Sequence, residues 1–140
     1  MSDSVAIWVP SRHAKAAYKV ESYNVRGNPG MEMVRDALRR AGIDAGYCSS
    51  ATVKEHGVVL VSLTSACDWW PFVAERQRWP KGEYVVVIGG AGVLNVRPFL
   101  PWFDAAVIGR GEEIAPPLVA AALRGERLSH ESVIWASGFD

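Results

Sequence analysis

The chain has 140 residues, 49% of them hydrophobic and six of them tryptophan, with 15 basic and 15 acidic side chains that cancel. That length suits one domain with a core of ordinary size, and the composition excludes a disordered chain. Zero net charge removes the electrostatic footprint of a nucleic-acid binder. The two cysteines, Cys48 and Cys67, form no CxxC pair. This excludes a disulfide scaffold, and a cysteine-ligated zinc or iron–sulfur site built from this chain alone. The first residues, MSDSVAIWVP, lack the basic start and long apolar core of a signal peptide. No run approaches the roughly 20 apolar residues that span a bilayer. A soluble, cytoplasmic protein is expected, a single domain over residues 1–140 with neither membrane nor nucleic acid as partner.

In chain order, Val5–Val9 is a short apolar run stopped by Pro10 and predicts strand one. The polar stretch Ser11–Gly27 is long for a loop between strand and helix, so a binding loop or a lid is expected there. Asn28 and Pro29 open a helix with a capping type and a first-turn proline. Val34, Ala37, Leu38 and Ala41 recur at helical spacing, Arg35, Arg39 and Arg40 belong to the solvated side, and Gly42 ends it. Ile43–Cys48 predicts a weaker second strand, and Ser49–Gly57 a polar turn. Val58–Leu63 predicts a strand buried on both faces. Ser65 and Asp68 have capping-box spacing before a helix that carries Trp69, Phe72 and Val73 on one face and stops at Pro80-Lys81-Gly82.

Tyr84–Ile88 and Ala105–Ile108 are two more continuous apolar strands, each closing in glycines. Pro98 and Pro101 keep the helix between them short or irregular. Pro116 and Pro117 are expected in the first turn of a last helix that ends at Gly125. Val133–Trp135 reads as a final strand or an extended tail. Strands alternating with helices predict an α/β fold with three layers. The expected sheet is parallel, doubly wound and five-stranded, in the flavodoxin-like order 2-1-3-4-5.

In such a sheet, ligands bind at the carboxyl ends of the strands, so the glycine turns mark the candidate site. Gly89, Gly90, Ala91 and Gly92 offer either a backbone surface for a flat or phosphate-bearing ligand or a tight turn with none. They form no dinucleotide fingerprint, and no P-loop is present. Ser62 and Thr64 end strand three, where hydroxyls either face a ligand's polar edge or are satisfied locally. Glu112 and Glu113 open the last helix, where capping is the favoured role. His13, His56 and His130 have no metal-ligand spacing, and Cys67 stands at a helix start without a placed base. No catalytic constellation emerges, and the chain is not expected to be an enzyme on its own.

The order VVVIGGAG, a proline-bearing segment ending in Phe103-Asp104, AAVIG, and then Arg110-Gly111-Glu112-Glu113 with a helix resembles one family. It is similar to the cobalamin-binding-type domain that precedes the radical SAM core in many radical SAM enzymes. Gly109-Arg110-Gly111-Glu112 occupies the place of that family's G-E-G-E-like turn, with Arg110 replacing the first acid. Asn28-Pro29-Gly30 looks like the P-x-G start of its first helix, and the spacing from Ser62 to Gly89 fits its serine and GG motifs. The chain departs from cobalamin methyltransferases in lacking D-x-H-x-x-G after strand one, where Pro10-Ser11-Arg12-His13-Ala14 stands. The S-x-L motif is broken by Leu63-Thr64, and the CxxxCxxC triad of the radical SAM cluster is absent.

The resemblance implies an accessory domain without an iron–sulfur cluster, acting alone or with a separate radical SAM subunit. It implies a cobalamin held without a histidine ligand from D-x-H-x-x-G. The cofactor's tail would lie among Ser62, Thr64, Gly89, Gly90 and Ala91 and be bordered by Gly109, Gly111 and Glu112. Its corrin would lie under the Ser11–Gly27 loop, with Arg12 or His13 near its amides. The alternative is a non-catalytic module that keeps the fold without cofactor and docks a partner protein through Trp69, Trp70 and Trp102.

Overall fold

A computed structural model of the chain describes residues 2–10, 29–93 and 95–138. Asn28 and the Ser11–Gly27 segment, with Arg12 and His13, lie outside the described residues. Among the described residues six strands appear in chain order: β1 (Val5–Trp8), β2 (Ala45–Tyr47), β3 (Val58–Ser62), β4 (Val85–Gly89), β5 (Ala105–Val107) and β6 (Val133–Trp135). Three α-helices lie among the described residues: α1 (Pro29–Arg40), α2 (Trp69–Arg76) and α3 (Gly111–Leu123). The sheet order is β2-β1-β3-β4-β5-β6. The first five strands are parallel, and β6 pairs antiparallel with β5, Ala106 opposite Ile134. The α/β class agrees with expectation, but the five-stranded parallel sheet is corrected to six strands of mixed direction. The segment after α3 returns to the carboxyl edge, where the Ser132 carbonyl accepts Ile108 N–H (2.8 Å), so β6 enters beside the end of β5 and runs antiparallel to it.

Strand periodicity divides the interior. Val5, Ile7, Val58, Leu60, Val87 and Val107 face one side, where α1 and α3 cover them. Ala6, Trp8, Val59, Val61, Val86 and Ile88 face the other, against Trp69 and Phe72 of α2. Both faces being covered is why these strands read as unbroken apolar runs.

Both long helices stop where glycine permits a left-handed residue. Gly42 has φ +83°, with Ile43 N–H donating to Leu38 O (2.8 Å) and Gly42 N–H to Arg39 O (3.0 Å). Gly125 (φ +77°) repeats the pattern at α3, with Glu126 N–H donating to Ala121 O (2.9 Å) and Gly125 N–H to Ala122 O (2.9 Å). These are Schellman caps, which satisfy the last helical carbonyls.

Two local expectations change. On α1, Ala41 is exposed and Met31 is buried, because the helix stops at Arg40 and its apolar face begins a turn earlier. Pro116 and Pro117 lie in the second turn of α3, not the first, since the helix already starts at Gly111. Glu113 and Ile114 N–H both donate to Arg110 O (3.1 and 3.3 Å), which draws the glycine–glutamate stretch into the helix. The carbonyls of Glu112 and Glu113, four residues before the two prolines, accept no intrahelical bond from them.

Candidate functional site

The strand register places the glycine turns side by side. Ser62 pairs with Gly89, and Gly89 with Val107, so one row crosses the carboxyl ends of β3, β4 and β5. Ser62 follows Leu60 by two residues and Gly89 follows Val87 by two, so this row faces α1 and α3. There a cavity of about 470 Å³ opens between the three strand ends and the first turns of α1 and α3. Ser62, Thr64, Gly89, Gly90, Ala91, Gly109, Gly111 and Glu112 all line it. The eight residues expected to border the cofactor's tail are therefore brought to one place.

The lower walls are apolar. Leu60 and Val87 rise from the sheet, while Met31 and Val34 come from α1 and Ala115 from α3. These residues were not anticipated. A usable signal existed for some of them: Ala115 stands four residues after Gly111, on the same helix face. Met31 and Val34 share a face through i,i+3 spacing. The space exists partly because Gly89 has no side chain. A Cβ there would meet nothing closer than Val107, at 3.8 Å. At Gly111 a Cβ would lie 3.3 Å from Val34 Cγ2, which marks the close approach of α3 to α1.

Gly90 and Gly92 have a different task. Gly90 has φ +115°, and a Cβ there would lie 2.4 Å from Leu63 O. One on Gly92 would lie 2.4 Å from Ser65 O. The turn folds tightly over the end of β3, fastened by Leu63 N–H to Gly89 O (2.8 Å) and Gly92 N–H to Leu63 O (2.7 Å). Val93 N–H donates to Gly90 O (3.1 Å). The amides of Gly92 and Val93 are thus spent on the Leu63 and Gly90 carbonyls, and neither residue lines the cavity.

Thr64 borders the cavity while its hydroxyl donates to Asp68 Oδ2 (2.8 Å). The same carboxylate oxygen accepts the amides of Thr64 (2.6 Å) and Ser65 (3.2 Å). Asp68 is fully buried, and the Ser65–Asp68 capping box forms as its spacing predicts. At the opposite rim Glu112 pairs with Arg110 at 3.4 Å, and Glu113 with the same guanidinium at 3.2 Å. Both carboxylates sit in the first turn of α3, where the helix dipole favours them.

The remaining candidates are elsewhere. His56 Nδ1 is 2.9 Å from Ser4 Oγ at the amino end of the sheet, and His130 Nδ1 accepts Ser132 N–H at 2.9 Å before β6. No group of three potential metal ligands occurs among the described residues. Cys48 is buried, and burial, followed by the charge of Glu55, pushes its thiol up to about 12. It is inert at neutral pH. Trp69 is not an exposed docking residue: it is stacked on Phe99 at 3.9 Å, and its indole N–H donates to Gly92 O (3.0 Å). Trp102 is half-buried against the same core. Trp70 alone of the three is prominent, at 77% exposure. No helix among the described residues is long and apolar enough to cross a membrane. Set against family models, curated proteins and solved structures, the chain gives no match.

Proposed function

We propose that this chain is a flavodoxin-like, cobalamin-binding-like accessory domain that holds a corrinoid by its nucleotide tail. The observation that carries this reading is the convergence of all eight candidate residues on one cavity. Its volume, about 470 Å³, suits a small-molecule moiety (pockets run from about 300 to 1,000 Å³) and is far too small for a whole corrinoid. Only a tail can enter, and the corrin ring must stay outside the carboxyl edge. The residues suit that division. Apolar side chains line the depth, Ser62, Thr64 and Glu112 offer polar atoms near the mouth, and Gly89 leaves room where a side chain would stand.

When bound, the corrinoid supplies the chemistry through its cobalt. The protein's part is to bind and orient. Ser62 and the glycine turns fix the tail's entry, and α1 and α3 hold it against the sheet. Neither His56 nor His130 lines the cavity, so the tail, not a bond from either of them, carries the attachment. The proposed partner is a separate radical SAM subunit.

Two other readings have less support. Trp70 favours a protein-docking module, but Trp69 and Trp102 do not join it in an exposed patch. A nucleotide or sugar-phosphate enzyme would need open amides at the glycine turn. It would also need a paired base and nucleophile, and no histidine, lysine or cysteine among the described residues lines the cavity.

The test is titration with hydroxocobalamin and with cob(II)alamin, followed by absorbance and by EPR. Saturable micromolar binding with loss of the axial nitrogen splitting supports the proposal. Absence of binding at high micromolar protein refutes it.

A further inference from the structure

We infer that the outer edge of β6 joins two copies of this chain, extending the sheet antiparallel across a two-fold axis; this is independent of the ligand proposed above. Ile108 N–H donates to Ser132 O (2.8 Å) and Ala136 N–H to Asp104 O (2.9 Å), with Ile134 opposite Ala106 between them. Ser132, Ile134 and Ala136 therefore turn their main-chain groups toward β5, and Val133 and Trp135 turn theirs outward. Val133 N–H is taken by His130 O (3.0 Å). The Trp135 carbonyl opens the 3₁₀ turn Ala136–Gly138. Trp135 N–H and Val133 O are left, and neither meets a partner among the described residues.

One donor and one acceptor, two residues apart on an edge, form a self-complementary set. When a second β6 runs antiparallel about an axis through Ile134, each Trp135 N–H meets Val133 O of the other copy, and no open group remains on either strand. A foreign strand would present donors and acceptors in alternation, half of them facing groups already taken. The same register sets Val133 against Trp135 on one face and Ile134 against Ile134 on the other, cross-strand pairs of the aromatic and β-branched kind that stabilise sheets. Trp135 is held ready for this, since its indole N–H donates to Leu128 O (2.9 Å) and Arg127 lies over its ring at 4.9 Å. Edges that must stay unpaired are blocked by charge, proline or a bulge. The opposite edge is blocked in that way: Cys48 N–H donates to Ile7 O (2.8 Å), which turns Ala45 outward, and Arg35 Nε caps the Ala45 carbonyl (2.8 Å). Val133–Trp135 carries no charge and no proline.

The ladder is short, so the association is weak and is read at high concentration. Sedimentation equilibrium from about 10 µM to about 1 mM follows the mass of the intact chain. Amide exchange followed by NMR reads Trp135 and Ile134 at both ends of that range. A mass climbing toward twice that of the chain supports the inference when the Trp135 amide slows at least about tenfold with it, the Ile134 amide in the β5 ladder being slow throughout. A single-chain mass at every concentration overturns the inference and leaves the edge to a segment of another protein. A dimer whose Trp135 amide still exchanges freely overturns it too, since another surface then joins the copies. Ile134→Lys sets two like charges opposite each other on the axis and should weaken the dimer several-fold. If that variant is folded by circular dichroism and dimerises as the parent does, the inference fails.

Discussion

Replacing Gly90 by alanine, beside the same change at Gly89, separates the two tasks that adjacent glycines perform. At Gly90 the backbone has φ +115°, outside the region an alanine occupies comfortably, and the new Cβ would lie 2.4 Å from Leu63 O and 3.0 Å from Leu63 C. The conformation alone costs about 1–3 kcal/mol. Relieving the overlap means moving backbone, which resembles overpacking a core at about 1–3 kcal/mol. It also strains the Leu63–Gly89 and Gly92–Leu63 hydrogen bonds. The expected loss is on the order of 4 kcal/mol, a large part of the roughly 5–15 kcal/mol that stabilises a domain. At Gly89 a Cβ finds its nearest neighbour at 3.8 Å, so alanine should be neutral or stabilising by up to about 1 kcal/mol. Urea unfolding followed by far-UV circular dichroism measures both. A Gly90→Ala midpoint indistinguishable from the parent would show that the turn does not hold the described geometry. Large residues at Gly90 therefore report on folding, whereas Gly89→Leu fills the cavity and tests binding.

Ser50 Oγ accepts the indole N–H groups of Trp8 (3.0 Å) and Trp79 (3.1 Å) and donates to Glu75 (2.9 Å). Ser50→Ala leaves two buried donors unpaired, at about 1–3 kcal/mol each, and should lower stability by roughly 2–4 kcal/mol in urea unfolding. Iodoacetamide near neutral pH should label exposed Cys67 once and leave Cys48 unmodified; equal labelling would contradict the burial of Cys48. Because the folded Cys48 thiol is raised from 9.0 to about 12, the unfolded chain loses this proton first as pH rises. Its stabilisation is complete below pH about 9 and falls by about 1.4 kcal/mol per pH unit toward 12, a slope that Cys48→Ala should remove. Tyr84, raised mainly by burial against the opposing charge of Arg76, adds a slope of the same sign. Trp70→Phe should remove the component of fluorescence most accessible to acrylamide, leaving shielded Trp8, Trp69 and Trp79 and half-buried Trp102 and Trp135; unchanged quenching would put Trp70 in the interior.

What could be read in the sequence was whatever depends on local chemistry. The strands of the carboxyl half show as continuous apolar runs because both their faces are covered. Gly42 and Gly125 mark helix ends because only glycine enters the left-handed cap easily. The eight cavity residues could be named because they sit at strand ends and the first turn of a helix, where topology brings a parallel sheet's loops together. Other features depend on distance in space and left little local trace. The antiparallel sense of β6 follows from where the segment after α3 re-enters the sheet, beside Ile108 at the carboxyl end of β5. The exposure of Trp70 beside buried Trp69 follows from which side of an eight-residue helix meets the sheet. The start of α3 at Gly111 was hidden because Pro116 and Pro117 suggest a later first turn, while Arg110's carbonyl recruits Glu113 and Ile114.

The two faces of the sheet divide the aromatic packing from the cavity. Trp8, Trp69, Phe72, Trp79 and Phe103 all pack on the α2 side, with Phe99 and Tyr84 against them. The buried residues of the α1–α3 side are instead valine, leucine, isoleucine, methionine and alanine, with half-buried Tyr47 and Trp135 against them, and its strand ends carry serine and glycine. Aromatic side chains bury the most area per residue, so the α2 side supplies a disproportionate share of the hydrophobic stabilisation. That surplus lets the opposite side keep a cavity of about 470 Å³ under two helix starts without losing the fold. The consequence is separability. Ser50→Ala should weaken the fold while leaving corrinoid affinity unchanged in the folded fraction, because Ser50 touches only the aromatic side. Gly89→Leu should do the reverse, preserving the free energy of unfolding to within about 1 kcal/mol while removing the contribution of the proposed tail contact to binding. If both variants lost stability and affinity together, the two faces would be one cooperative unit, and the cavity could not be assigned a role apart from the packing around it.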